Sequence, residues 1–358
     1  MICKTYEKKI DNQLSEKIKV ISFIMTVGMI FYHSGDPGYL KPINETDLAL
    51  YNLCNDLSGK IGVFVMNYFF MISGFFMYSN VSHFDKDIYL KKIKNRIFSL
   101  LIPFFIWQLL TNFLPLQTRF SLKEFLSGVF FFGGTLPNGP LWYCYSVFWL
   151  AVLSPVFYFL YKNKFGSLFL FISCFAIVLL KDVNSGIVGQ IVNYGFLYNT
   201  FGYLSTYLIG LYIGIRFSEN QSQRCFKEIF LIIILSYFFN YHNFLNIIIN
   251  ALLPIIFVHI FSIAKIRKDG KFYCLTNLTF LLYALHMYII GRIQRPIRVH
   301  LILKIIPYAW TANIIARIII IPIVIILTYI LWILISKINP AVLNIIIGGR
   351  CKSSKDIQ

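Results

Sequence analysis

A chain of 358 residues that is 58% hydrophobic and only 13% charged is too apolar for a soluble domain, which sits at roughly half apolar and a quarter charged. Its net charge of +18 comes without a nucleic-acid-binding motif, and its Lys and Arg gather between apolar runs, as in the cytoplasmic loops of a membrane protein. The seven cysteines are odd in number and never spaced C-x-x-C, which excludes a disulfide framework and a zinc site.

Residues 1–19 are polar and carry Lys4, Lys8, Lys9, Lys17 and Lys19, which predicts a cytoplasmic N-terminal segment. Helix 1 is expected over about 20–35 and is retained, because no A-x-A-like cleavage site follows it. It ends in His33. An ionisable group in an apolar helix is a functional candidate, the alternative being a histidine solvated at the membrane–water boundary. A polar external loop, Asp36 to Lys60, leads to helix 2 at about 61–80. A basic cytoplasmic loop, Ser82 to Arg96, precedes helix 3 at about 97–115, which carries Pro103 in its first turns. The external segment 116–140 holds an amphipathic or re-entrant piece, Phe125 to Phe132, and a Gly/Pro turn cluster. Helix 4 starts at Trp142 and ends before Lys162. Helices 5 and 6 follow at about 165–180 and 200–215, and helices 7 and 8 form a tight pair at about 228–240 and 244–264. Helices 9 and 10 are expected at about 274–291 and 311–336.

The fold predicted is all-α: a polytopic bundle of about ten transmembrane helices over 20–336, with both termini and the basic tail 337–358 in the cytoplasm. Most basic residues then lie on the cytoplasmic side. Of the 33 Lys and Arg, 23 fall in cytoplasmic segments, nine in external ones and one, Arg317, inside helix 10; four of the nine, Arg292, Arg295, Arg298 and Lys304, share one loop assigned to the outside. That cluster requires its own explanation.

On helix 1, Ser22 lies eleven residues before His33 and falls about 20° from it, while Lys19 lies about 40° away on the other side. One face thus offers a base for deprotonating a hydroxyl and a cation, nearer the cytoplasm, for a phosphate-bearing donor. Ser73-Gly74 in helix 2 fits close helix packing as well as it fits a substrate role. Arg96 and Trp142 have ordinary readings as a snorkelling cation and an interfacial anchor. His286 lies deep in helix 9, one turn after Tyr283, and needs a partner or water. Acidic groups are nearly absent from the helices, which argues against a carrier built on Asp or Glu relays.

The order of these motifs resembles the acyltransferase 3 family of bacterial membrane acyltransferases. The likeness is carried by MIFYHS (His33), YFFMISGFF (Ser73, Gly74, Phe75) and YLKKIKNRIFSLLIPFFIW (Arg96, Pro103, Trp107). PLWYCYSVFWLAVLSP (Trp142, Pro155) and FLLYALHMYII (Tyr283, His286) complete it, over residues 18–335. The chain departs from the family pattern at Ser22, where the family often has Arg or Lys, at Ser99, in place of the second arginine before Pro103, and at Val147, where many members carry glutamate.

The resemblance implies transfer of an acyl group, usually acetyl, from acyl-coenzyme A to a hydroxyl of a lipid-linked or nascent surface polysaccharide, in the inner or plasma membrane of a bacterium. It implies acetyl-CoA as a donor substrate, with no bound cofactor and no metal. His33 would be the general base, with His286 orienting it or the acceptor. Lys19, Lys91, Lys92, Lys94 and Arg96 would meet the donor phosphates, and Ser73 and Tyr283 would donate to the thioester oxygen. Ser22, Trp142, Arg292 and Arg295 would line the substrate path, with the Arg292–Arg298 cluster facing anionic sugars or the lipid diphosphate. The competing class is a flippase of lipid-linked saccharides without acyl transfer. A glycan polymerase ranks below both, because the expected external loops are modest.

Overall fold

The computed structural model describes residues 12–81, 83–113, 138–182, 195–218 and 271–350, with isolated positions between 122 and 136. Expected helices 7 and 8, most of the Phe125–Phe132 piece and the end of the tail lie outside the described residues. Every regular element described is helical. In order these are α1 (Asn12–His33), α2 (Glu45–Tyr78), α3 (Lys86–Arg96) and α4 (Ile102–Phe113), the last two joined by a π-helical turn (Ile97–Leu101). Then come α5 (Trp142–Lys162), α6 (Gly166–Asp182) and α7 (Gly195–Ser218). After these, α8 (Thr279–Arg295) runs into a π-helical stretch (Pro296–Ile302), followed by α9 (Ala309–Ile338) and α10 (Pro340–Ile346).

Among the described residues, 5 helical segments are long and apolar enough to cross a membrane: Glu45–Tyr78, Lys86–Thr111, Gly139–Lys162, Tyr273–Ile302 and Ala309–Ile338. Helix α1 is not one of them. Glu16, Lys17 and Lys19 sit in its first turns and leave an apolar stretch only from Val20 to Tyr32. The all-helical membrane architecture therefore stands as expected, while the count of ten spans reaches into residues 219–270, beyond those described.

Three expected loops are helical instead. Residues 45–60, assigned to an external loop, are the first half of α2. Asn44 Oδ1 accepts the Asp47 N–H at 2.8 Å, and Glu45 and Asp47 complement the positive end of the helix dipole. At 34 residues α2 is about 50 Å long against a hydrocarbon core of about 30 Å. An apolar count finds only the part that fits lipid. The basic segment before Arg96 is likewise α3, started by Asp85, whose carboxylate accepts the N–H groups of Asp87 and Ile88 at 2.7 and 3.1 Å. The supposed external loop at Arg292–Lys304 is the end of α8, its π-helical continuation to Ile302 and a turn. A π turn adds a residue and rotates the downstream side chains by about 100°. Arg292 and Arg295 are exposed, but Arg298 is buried.

The described chain forms two compact units, one from residues 12–16 and 66–218 and one from 17–65 and 271–350, with α2 contributing to both. In the first, α2 and α7 touch backbone to backbone. A Cβ on Gly74 would overlap the Tyr207 carbonyl, and one on Gly210 or Gly214 would overlap the carbonyl of Met71 or Phe75. Small residues four apart permit this approach. The prolines are also accommodated locally. The π-helical turn precedes Pro103, which lacks the N–H an α-turn would require. Pro155 leaves the Ala151 carbonyl without its amide donor, and the Ser154 hydroxyl donates to it at 2.8 Å. In the second unit α8 packs on α9, and α1 lies close to the middle of α2, where a Cβ on Gly28 would stand 3.1 Å from Val65.

Candidate functional site

His33 is the last residue of α1 and is partly buried; His286, in the middle of α8, is wholly buried. The fold of the second unit brings the two together, with ring centroids 5.1 Å apart and planes tilted by 46°. Tyr283, one turn before His286, stacks on it at 6.0 Å. His286 Nδ1 lies 2.8 Å from the Tyr283 carbonyl, which can only accept, so Nδ1 carries the hydrogen. Nε2 is buried and has no hydrogen-bond partner among the described residues. A nitrogen whose mate is tied to a carbonyl, and which is itself left open, is arranged to accept a proton or a hydroxyl hydrogen bond.

The end of α1 is fastened by a buried polar network. The Ile30 carbonyl accepts from Ser34 N at 2.8 Å and the Tyr32 carbonyl from Gly35 N at 3.2 Å. The Phe31 carbonyl accepts from Ser34 Oγ at 2.9 Å and from Arg317 Nη1 at 2.7 Å. Arg298 Nη2 donates to the Ser34 carbonyl. These are carbonyls that a helix terminus leaves without intrahelical donors, at the negative end of its dipole.

Arg317 also donates to Ser58 Oγ, to Asn55 Oδ1 at 3.0 Å and to Asn313 Oδ1 at 3.3 Å. Arg298 Nε lies 3.4 Å from Asp36 Oδ1, with both side chains at 0% exposure. Asp36 accepts in addition from the N–H groups of Tyr39 and Leu40 and from Tyr51 Oη, at 3.0, 2.9 and 2.9 Å. Asp47, also buried, accepts from Ala309 N and Trp310 N, both at 3.0 Å, and so caps the start of α9.

Three more expected residues belong to this unit. Lys19 Nζ sits 4.8 Å above the Tyr273 ring, a cation–π contact. Ser22 is partly buried, and its carbonyl accepts from Thr26 Oγ1 at 2.9 Å. Arg292 lies over Tyr288, with 5.8 Å from its guanidinium carbon to the ring centroid.

The remaining expected residues belong to the first unit. Ser73 Oγ is 2.6 Å from Tyr143 Oη, which itself donates to the Phe69 carbonyl at 3.0 Å. With the tyrosine hydrogen so used, the Ser73 hydroxyl is the donor in the first contact. Arg96 Nη2 donates to the Ser73 carbonyl at 2.8 Å, and Lys92 Nζ donates to the Phe76 and Met77 carbonyls at 3.1 and 2.7 Å. Both cations therefore hold the last turns of α2. Trp142 lies against Phe70 and Tyr203, at 5.8 and 6.0 Å, within an internal aromatic group.

Arg298 is expected on an external face, and Arg317 only as a charge inside the last helix. Both are buried at the histidine-bearing end of α1, so the outward-facing role expected of Arg298 does not hold. The available signal was the pairing of two arginines with unusual polar residues, Asp36, Asn55, Ser58 and Asn313, in segments otherwise apolar or assigned to loops.

A family model described as an acyltransferase domain matches residues 17–337, nearly the whole chain. No curated protein matches it, and no solved structure does.

Proposed function

Because the chain belongs to the acyltransferase 3 family and is thus a membrane acyltransferase, we propose that it moves an acetyl group from acetyl-CoA to a hydroxyl of a lipid-linked or nascent surface polysaccharide. The bilayer would be the plasma or inner membrane of a bacterium. The observation that carries the reading is the pairing of the imidazoles of His33 and His286, with the Nε2 of His286 buried and unpartnered among the described residues.

His33, the more accessible of the two, takes the proton from the acceptor hydroxyl. The oxygen attacks the thioester carbonyl, the carbon–sulfur bond breaks, and the coenzyme A thiolate leaves, taking back the proton that His33 holds. His286, with its tautomer set by the Tyr283 carbonyl, orients the acceptor or the neighbouring ring through Nε2. The basic residues of α3, Lys91, Lys92, Lys94 and Arg96, are the partners proposed for the donor's phosphates. Arg292 and Arg295, exposed on α8, are available to an anionic acceptor. Ser73, already committed to Tyr143, contributes shape near the donor rather than a free hydroxyl.

The test is mass spectrometry of surface glycan from a deletion strain complemented with the wild type or with His33→Ala at equal expression. Loss of acetyl-sized mass, restored by the wild type alone, supports the reading. Unchanged acyl content with missing or shortened glycan refutes it in favour of saccharide transport or polymerisation.

A further inference from the structure

We propose that Arg317 and Arg298 are positioning residues for His33, gripping the last carbonyls of α1 and fixing the place from which the imidazole acts. The inference rests on the acyl-transfer role of His33. Its first support is where the guanidiniums go. Arg317 holds the carbonyl two residues before His33, and Arg298 the carbonyl one residue after it. Gly35 keeps the approach open, since a Cβ there would stand 3.2 Å from Arg317 Nη2.

Its second support is where the arginines come from. Arg317 projects from α9, and Arg298 from the π-helical continuation of α8, the helix that carries His286. Asn313 Oδ1 accepts from both arginines, at 3.3 and 3.4 Å, while its Nδ2 donates to Asn55 Oδ1 at 3.0 Å. One hydrogen-bonded network therefore ties the seats of both histidines to α2 and α9. π-helical stretches of this kind often accompany functional sites.

Its third support is cost. Arg317 and Arg298 are 2% and 0% exposed, in a unit of apolar helices, and Asp36 is the one carboxylate ion-paired with Arg298 among the described residues. Buried ion pairs commonly stabilise less than apolar packing of the same volume. Stability alone is thus a poor reason for two arginines here. A geometric demand is a better one: the planar guanidinium fork can span several acceptors at fixed angles, and a lysine ammonium cannot.

The experiment uses the full chain in lipid nanodiscs, with acetyl-CoA as donor and two readouts. The first is the rate of acyl transfer. The second is the rate at which diethyl pyrocarbonate modifies His33, read by peptide mass spectrometry, which needs no activity. Arg317→Lys and Arg298→Lys keep the charge and lose the fork, so if one misfolds by gel filtration the other carries the test. Each is expected to lower kcat by about 10²-fold, the scale of an ångström-level misplacement, with the donor KM changed less than about two-fold.

In a His33→Ala background the same substitutions should change the residual rate by less than about two-fold, because residues acting as a unit are not additive. His33 modification should speed up by at least about five-fold when the ring is no longer held. Lys337→Gln, on the exposed end of α9, is the control and should leave both readouts unchanged. Wild-type kcat in both lysine variants, or a full additional loss on top of His33→Ala, overturns the proposal. If His33→Ala itself retains full transfer, the acyl-transfer role of His33 falls. The modification rate then decides alone, a rise upholding the positioning and no change overturning it.

Discussion

Replacing Asp36 with asparagine tests whether the network at the end of α1 is an interdependent unit. The carboxylate accepts two backbone N–H groups and the Tyr51 hydroxyl, and it faces Arg298 at 3.4 Å with neither side chain exposed. Asparagine has the same shape but one acceptor oxygen instead of two, so its amide NH₂ must point at an existing donor. The substitution also leaves the Arg298 guanidinium without its counter-charge. Breaking a buried pair from one side costs about 3–5 kcal/mol, a large share of a typical stability of about 5–15 kcal/mol.

We therefore expect Asp36→Asn to lose about 4 kcal/mol, measured by SDS titration of the purified protein in mixed micelles with far-UV circular dichroism. Arg298→Met in the same background removes the orphaned charge. The double variant should recover at least about 2 kcal/mol relative to the sum of the single losses. A single variant within about 0.5 kcal/mol of wild type, or a double variant at the plain sum, would show that Asp36 and Arg298 do not depend on each other.

Two further outcomes concern the first unit. Gly210→Val should destabilise by at least about 1–3 kcal/mol in the same titration, because its side chain must displace the Met71 carbonyl and part α2 from α7. A neutral result would mean that the helices do not meet there. Ser73→Ala should cost about 1 kcal/mol and leave kcat within a few-fold, since the hydroxyl is already donated to Tyr143. A loss of about 10²-fold or more in kcat, at unchanged folding, would restore Ser73 as a group that acts on the thioester.

The helical class and the positions of α5 and α9 were legible because lipid imposes a length and a composition on a helix that crosses it, and α1 and α6 were legible as apolar runs. His33 and His286 were legible for the same reason: an imidazole is conspicuous among Phe, Leu and Ile. Their contact was not. It depends on how α1 and α8 pack, and hydropathy carries no information about which face of one helix meets which face of another. Ser73-Gly74 shows a similar divide. Close packing was a foreseeable use for the pair, but the Ser73 hydroxyl is engaged by Tyr143, seventy positions along the chain.

The errors at 45–60 and 292–304 share one cause. A hydropathy reading treats a charged or amide side chain as the place where a membrane helix stops. That holds only if the side chain faces lipid or water. Asp47, Asn55 and Ser58 look like loop residues in isolation, yet they lie on α2 and hold the start of α9 and Arg317. Arg298 looks like an outlying cation, yet Asp36, on the other side of α1's end, accounts for its charge. Each polar group was judged against solvent when its partner was another polar group far away in sequence. Two buried arginines require acceptors, and the acceptors were assigned to a loop because they were polar. A pairing rule, which asks what each intramembrane cation bonds to before any boundary is drawn, would have extended α2 and led to the carbonyls beside His33.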